Sequence, residues 1–144
     1  MKLLQIIPAA AIMIIAASCG GDNTTGKNPY QTGESASAAT QSGESIYKTN
    51  CASCHMAGGE GIEKVYPPLA KSDYLADRKR AITQIIKGSS GEIVVNGQTY
   101  NNTMPPQQLD DAQIAAVLTY VYTNMGNTGT AVTAEEVKAV RASL

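Results

Sequence analysis

Residues 51–55 read Cys51-Ala52-Ser53-Cys54-His55, a C-x-x-C-H run. The 144 residues contain three cysteines and one histidine, so the run holds two of the cysteines and the sole histidine. Two thiols with this spacing, followed at once by an imidazole, form the attachment pattern of c-type haem. Each thiol can bond one porphyrin vinyl group, and the imidazole can then bind the iron. The run predicts one covalent haem c on Cys51 and Cys54, with His55 as an axial ligand.

Three other kinds of site share part of this pattern. A structural zinc site needs four ligands, commonly two pairs of Cys or His, and the sequence has no second cluster. A thioredoxin-like redox pair needs a βαβ context, which the hydrophobic pattern does not predict. A plain disulfide between Cys51 and Cys54 gives His55 no role. The haem interpretation is favoured because the only histidine falls where the motif requires it.

The N-terminal residues have the pattern of a bacterial export signal. Lys2 precedes an apolar run over residues 3–17, which is shorter than the ~20 apolar residues that a spanning helix needs. The run ends in Ala-Ala-Ser before Cys19, and small residues before a cysteine resemble a lipobox. We therefore expect residues 1–18 to be a lipoprotein signal peptide and Cys19 to be lipidated. An ordinary secretory signal and an uncleaved anchor are the alternatives.

Export and haem attachment are consistent with each other. Covalent c-type haem is installed outside the cytoplasm, and the signal predicts that compartment. Lipidation of Cys19 would also remove the unpaired thiol that an odd cysteine count implies. We expect the protein on the periplasmic side of a bacterial cell envelope, anchored to a membrane by its lipid.

Residues 19–41, after the signal, are small and polar, and they predict a flexible linker. The formal net charge of the whole chain is −1, which gives no indication of nucleic-acid binding. Basic residues do cluster in the middle of the sequence, either as a solvated helix face or as a docking patch for an acidic partner. They are Lys71, Arg78, Lys79, Arg80 and Lys87.

Residues 42–126 are predicted to form a small, largely helical domain. The chain has no Phe and no Trp, so a porphyrin would supply the large apolar body that aromatic side chains usually give. Caps and apolar spacing predict the first elements. These are a helix over 43–50 capped by Ser42, a short helix from Ser72 or Asp73, and a helix over 78–87 ended by Gly88.

The second half of the domain is predicted to be a hairpin followed by a long helix. Asn96-Gly97 between two short β-prone runs is a strong signal for a two-residue hairpin turn. Asp110 and Gln113 form a capping box, and another from Thr133 to Glu136 opens a short helix in the C-terminal extension, residues 127–144. The apolar stripe of the long helix is Ile114, Val117, Leu118, Val121, Tyr122 and Met125, before Gly126.

The second axial ligand is inferred by elimination. There is no second histidine, and the methionines after the signal are Met56, Met104 and Met125. Met56 adjoins His55 and cannot reach the opposite face of the haem, and Met125 belongs to the helical stripe. Met104 lies in an irregular loop whose exit is stiffened by two prolines. We therefore expect Met104 to be the second iron ligand, although a loop methionine is often only a gap-filler.

A histidine and a thioether as axial ligands give the iron a higher reduction potential than two histidines would. With both axial positions filled, no position is open for oxygen, peroxide or another small-molecule substrate. The expected function is electron transfer rather than catalysis. A small haem peroxidase or gas-binding protein is the alternative, and it would need a vacant or labile sixth position.

These residues together resemble class I cytochrome c, which implies an all-α fold wrapped around one haem, with a small hairpin. The family's helix crossing has a glycine and an aromatic residue at positions that match Gly43 and Tyr47. Its last-helix aliphatic and aromatic residues match Val117 and Tyr120. The resemblance also implies a proline whose carbonyl accepts a hydrogen bond from the ligand histidine, and Pro67 and Pro68 both fit.

Three further features indicate a more specific group within this family. They are the stretch 66–75, the Asn96-Gly97 hairpin and Met104-Pro105-Pro106. They are similar to cytochrome domains associated with periplasmic copper nitrite reductases, quinoprotein dehydrogenases and haem–copper oxidases. The resemblance implies a redox protein partner: a respiratory reductase, oxidase or dehydrogenase. Either the protein is a tethered carrier between such partners, or it is a dedicated subunit of one complex that docks through its terminal helix.

Overall fold

The computed structural model describes residues 41–144, so the predicted signal peptide, Cys19 and nearly all of the linker lie outside the described residues. The described part is α-helical with one small hairpin, which confirms the predicted fold class. No helix in this part has the length and apolar character needed to cross a membrane. The helices are α1 (Gly43–Asn50), α2 (Ala52–His55), α3 (Arg78–Lys87), α4 (Asp111–Asn124) and α5 (Ala134–Ala142), with a 3₁₀ helix (Asp73–Ala76) before α3.

The crossing of α1 and α4 forms the centre of the core. α1 begins where Ser42 accepts a hydrogen bond from the Ser45 amide, as its sequence predicts. A Cβ on Gly43 would lie 2.9 Å from Tyr120 Cβ, so only glycine allows the two helices to approach this closely. The rings of Tyr47 and Tyr120 then meet with their centroids 5.6 Å apart. The close approach implied by the resemblance is therefore present.

The last four residues of the C-x-x-C-H run form one turn of helix, α2, which no pattern in the sequence predicted. Cys51 separates α1 from α2, and its carbonyl accepts from the His55 amide at 2.9 Å. Met56 ends the turn with φ 64° and ψ 163°. This turn places the two thiols and the imidazole next to one another.

α3 and the hairpin have the predicted bounds. Asp77 caps α3 by accepting from the Arg80 amide at 3.0 Å, and Gly88 ends it with φ 72°. Strands β1 (Ile93–Val95) and β2 (Gln98–Tyr100) pair antiparallel, with Ile93 opposite Tyr100. Asn96 and Gly97 both have positive φ, as a type I′ turn requires.

α4 carries the predicted capping box and the predicted apolar stripe. Asp110 accepts from the Gln113 amide at 2.8 Å, and the Gln113 side chain accepts from the Asp110 amide at 3.0 Å. The helix ends at Asn124, two residues before the predicted stop at Gly126. All six residues of the stripe are buried, including Met125 just beyond the helix.

α5 packs on α3 and α4, and Val137 and Val140 are buried there. Its predicted capping box is only half formed. Thr133 accepts from the Glu136 amide at 3.2 Å, but the Glu136 carboxylate binds the guanidinium of Arg78 instead of reaching back. The terminal helix thus uses its apolar face within its own domain.

The basic cluster of the sequence is divided in the structure. Arg78 binds Glu136, and the Lys87 ammonium donates to the carbonyl of Leu144 at 3.0 Å. The guanidinium of Arg80 lies 3.6 Å from the centroid of the Tyr74 ring and donates to the Tyr74 carbonyl. Three of the five basic side chains therefore make hydrogen bonds or ion pairs within residues 41–144.

Candidate haem-binding site

The helices, the hairpin and the intervening loops enclose a cavity of about 220 Å³. Its wall is mainly apolar, with contributions from Ile85, Val95 and Leu118. Within residues 41–144, no Asp, Glu, Lys or Arg side chain lines it. This lining and the donor set beside it fit a flat, largely apolar group with a metal at its centre. The sequence-predicted residues that line the cavity are Cys51, Cys54, His55, Pro67, Pro68 and Met104.

His55 is buried, and its Nδ1 lies 2.9 Å from the carbonyl oxygen of Pro67. A carbonyl oxygen only accepts, so Nδ1 carries the hydrogen and Nε2 keeps its lone pair for a metal. Burial lowers the pKa of His55, and the hydrogen bond to Pro67 opposes that shift. The imidazole is therefore held in one tautomer, with one nitrogen free to bind.

The sequence left Pro67 and Pro68 equivalent, and the structure gives this contact to Pro67. The loop before them folds back on itself, with the Gly61 amide donating to the His55 carbonyl at 3.0 Å. A Cβ on Gly61 would lie 2.8 Å from the Pro67 carbonyl carbon, so the glycine lets the loop pass close to the proline. Ile62 and Tyr66 form a small antiparallel bridge that completes the turn.

Cys51 and Cys54 form no disulfide with each other, and both are half-buried. Burial, and to a smaller extent the nearby Cys54 thiol, raises the pKa of Cys51 to about 11. A raised pKa is the opposite of what activates the thiolate of a thiol redox enzyme. Both side chains line the cavity beside His55, where a covalent group could be attached.

Met104 is the one methionine of the described residues that lines the cavity. Its amide donates to the Ser89 carbonyl and its carbonyl accepts from the Ser89 amide, each at 2.9 Å. Met125 is buried elsewhere, where a Cβ on Gly59 would lie 2.6 Å from its sulfur. The structure thus brings Met104 into the wall of the same cavity as His55 and leaves Met56 and Met125 out of it.

Asn127, which was not among the residues predicted for the site, supports the cavity wall. Its Nδ2 donates to the carbonyls of Leu69 and Val121, and its Oδ1 accepts from the Ser72 amide, each at 2.9 Å. These bonds join the end of α4 to the segment after the two prolines. No local pattern could have identified Asn127, because its partners Leu69 and Ser72 are distant in sequence.

Comparison with known proteins gives a consistent result. A family model described as cytochrome c matches residues 40–125. The chain is 39% identical over 115 residues to a cytochrome c-552 of Thermus thermophilus, covering 72% of this chain and 77% of that protein. A second Thermus thermophilus cytochrome c-552 is 40% identical over 111 residues, covering 69% and 84%.

A third relative is a longer protein, and the match covers only part of it. The chain is 31% identical over 111 residues to the fructose dehydrogenase cytochrome subunit of Gluconobacter japonicus. The match covers 72% of this chain and 22% of that subunit. The similarity thus extends to a subunit that is several times longer than the matched segment.

Proposed function

This chain belongs to the cytochrome c family, and we propose that His55 and Met104 are the axial iron ligands of its single haem. The family carries covalently bound haem c, and Cys51 and Cys54 stand at the attachment positions of the motif. The chain is therefore an electron-transfer c-type cytochrome. The observation that carries the ligand proposal is that His55 and Met104 line one cavity together with both cysteines.

Each residue of the cavity has a role in this proposal. Cys51 and Cys54 hold the haem through thioether bonds, and Pro67 orients the imidazole of His55 through the 2.9 Å contact. Met104 supplies a weak thioether donor, which raises the reduction potential compared with a second histidine. When bound, the haem supplies a one-electron couple between Fe(III) and Fe(II).

The mainly apolar wall has two consequences. An apolar wall disfavours water beside the ligands, and among residues 41–144 it contains no charged side chain that could act on a bound substrate. His55 and Met104 together would fill both axial positions, so neither is left for oxygen or peroxide. These features support an electron carrier with no small-molecule substrate.

The sequence pattern supports a location for this carrier. Lipid on Cys19 would hold the domain on the periplasmic side of a bacterial membrane, and the linker over residues 19–41 would let it move. The partners of such a carrier are redox proteins, namely a respiratory reductase, oxidase or dehydrogenase. The relationship to a dehydrogenase cytochrome subunit supports this class of partner.

The same relationship favours one second candidate, a dedicated subunit of a single enzyme complex. Gentle solubilisation of membranes distinguishes the two functions. A dedicated subunit would co-purify with its enzyme in fixed ratio, whereas a carrier would separate from it.

Carbon monoxide tests the electron-carrier function on the full chain matured with a cytochrome c assembly system. We expect a reversible one-electron reduction and no rapid binding of carbon monoxide to the reduced protein at neutral pH. Rapid binding would indicate an open iron position and favour a peroxidase or gas-binding protein.

Cell fractionation tests the tether. Cys19→Ser should release the cytochrome into the soluble periplasmic fraction while its absorption spectrum stays unchanged. Continued tight membrane retention of this variant would contradict lipid anchoring.

A further inference from the structure

We propose that Gly88, the residue that ends α3, is a positioning residue for the Met104 ligand. The relevant segment is the methionine loop, residues 101–106. This inference rests on the ligand role proposed above for Met104. It adds that the absence of a side chain on glycine at residue 88 allows the loop to lie close to α3.

The main chain of the methionine loop lies directly against the Cα of Gly88. A Cβ at this position would overlap the carbonyl oxygen of Met104 and lie 2.9 Å from the Pro106 nitrogen and 3.1 Å from the Pro105 carbonyl carbon. All three atoms belong to the backbone, so no side-chain rotation could make room. A methyl group at residue 88 would have to displace the loop itself.

Hydrogen bonds on both sides of this contact fix the loop to the end of α3. Ser89 and Met104 exchange two backbone bonds of 2.9 Å, and the Gln107 amide donates to the Ile85 carbonyl at 2.9 Å. Pro105 and Pro106 between them have no N–H, so the loop cannot substitute another donor there. A displacement at Gly88 would therefore be carried to Met104 rather than absorbed nearby.

α3 also forms part of the cavity wall through Ala81, Gln84 and Ile85. The helix end thus connects the wall of the cavity to the residue that supplies the sulfur. A thioether is a weak donor, so its bond to iron depends on accurate placement by the surrounding structure. The closeness allowed by Gly88 would determine whether the sulfur reaches its position.

Gly91 provides a matched control two residues after Ser89. It also has positive φ, at 90°, but a Cβ there would meet no atom within 4 Å. Gly88 has φ 72° and ψ −173°, a backbone region almost restricted to glycine, and Gly91 also has positive φ, so alanine is strained at both positions. Only Gly88→Ala adds contact with the methionine loop. Positive φ is common to both positions, so a change seen only in Gly88→Ala is not explained by positive φ alone.

The experiment uses the full-length haem-loaded protein and three readouts. They are the sulfur-to-iron charge-transfer band of the oxidised form, the midpoint potential, and the pH at which the band is lost on alkaline titration. For Gly88→Ala we expect a lower potential and loss of the band at least about one pH unit earlier, a tenfold easier displacement of the sulfur. Gly91→Ala should match the unmodified protein in all three.

Two results would overturn the inference. One is Gly88→Ala with the band, potential and titration of the unmodified protein. The other is an equal change in both variants. If the unmodified protein lacks the band and Met104→Leu changes nothing, the ligand proposal fails and this inference fails with it. If the band is present and Gly88→Ala matches the unmodified protein in all three readouts, only the role of Gly88 fails.

Amide hydrogen exchange tests the same attachment without a variant, in case Gly88→Ala does not fold or bind haem. The Ser89 and Met104 amides of the haem-loaded protein should exchange at least about 100-fold more slowly than in an unstructured chain. Exchange of both amides at the unstructured rate would show that the loop is not fixed to α3 and would overturn the proposal.

Discussion

The Tyr47 hydroxyl donates a hydrogen bond of 2.7 Å to the carbonyl oxygen of Met56, the residue after His55. Met56 has φ 64° and ψ 163°, a backbone region that is almost restricted to glycine. The Gly59 amide donates to the same carbonyl at 3.1 Å. Tyr47, a fully buried tyrosine in α1, thus stabilises a strained residue beside His55, the proposed iron ligand.

Removing this hydroxyl should destabilise the protein. Tyr47→Phe keeps the ring and its packing but leaves the Met56 carbonyl with one donor fewer, so the free energy of unfolding should fall by about 1–2 kcal/mol. Denaturant unfolding of the haem-loaded protein measures this. Tyr120→Phe, in the ring that contacts Tyr47, is the control and should cost less than about 0.5 kcal/mol. Equal losses in both variants would contradict a specific role for the Tyr47 hydroxyl.

The close crossing of α1 and α4 predicts that Gly43→Ala lowers the free energy of unfolding, whereas helix propensity alone predicts that it raises it. Alanine is favoured over glycine inside a helix by about 1 kcal/mol. A Cβ on Gly43, however, would lie 2.7 Å from the Ala116 carbonyl carbon, so Gly43→Ala should lower the free energy of unfolding by about 1–3 kcal/mol.

Gly58→Ala is the comparison for this variant, because its methyl group would meet the end of the Glu60 side chain, which can move. It should change stability by less than about 0.5 kcal/mol. A stabilised Gly43→Ala would mean that α1 and α4 are not in tight contact.

Arg78 attaches the C-terminal extension to the start of α3. Its guanidinium binds both carboxylate oxygens of Glu136 and donates to the Ala131 carbonyl at 3.0 Å and the Thr130 hydroxyl at 2.9 Å. The pair is partly exposed, so Arg78→Ala should cost only about 1–2 kcal/mol.

Limited proteolysis of the C-terminal extension should show the same effect as faster cleavage in Arg78→Ala. Lys79→Ala, at the exposed neighbouring position, should behave like the unmodified protein. If the extension is cleaved at the same rate in both variants, Arg78 does not hold it.

The hydrogen bonds of Asn127 predict a clear loss of stability when this residue is replaced. Asn127→Ala removes three hydrogen bonds and leaves the Ser72 amide and two carbonyls without this partner, so unfolding should become easier by about 2–3 kcal/mol. Asn124→Ala removes only bonds of an exposed side chain to its own helix and should cost less than about 1 kcal/mol. Thermal unfolding of the two variants measures the difference. Similar losses would contradict the role of Asn127 in joining α4 to the cavity wall.

Local sequence patterns predicted most of the fold. Ser42 and Asp110 begin helices because a side-chain oxygen before an apolar stripe satisfies free amides, and Asn96-Gly97 forms the hairpin turn because both residues tolerate positive φ. These signals act over a few residues, so one sequence is enough to read them. The bounds of α1, α3 and the hairpin followed from them.

Contacts between distant residues could not be predicted in the same way. Glu136 has the spacing of a capping box, yet its carboxylate goes to Arg78, a residue far away in the chain. The sequence left open whether the terminal helix packs on its own domain, and α5 does so. It also could not choose between Pro67 and Pro68, because the choice depends on how Gly61 lets the loop turn.

The charge-transfer band of the oxidised, haem-loaded protein tests the central claim most directly. Leucine in place of methionine keeps the volume of the side chain and removes the sulfur. We expect Met104→Leu to lose the band and to have a lower midpoint potential, whereas Met125→Leu and Met56→Leu keep both. A Met104→Leu protein that keeps the band and the potential would contradict ligation of the iron by His55 and Met104.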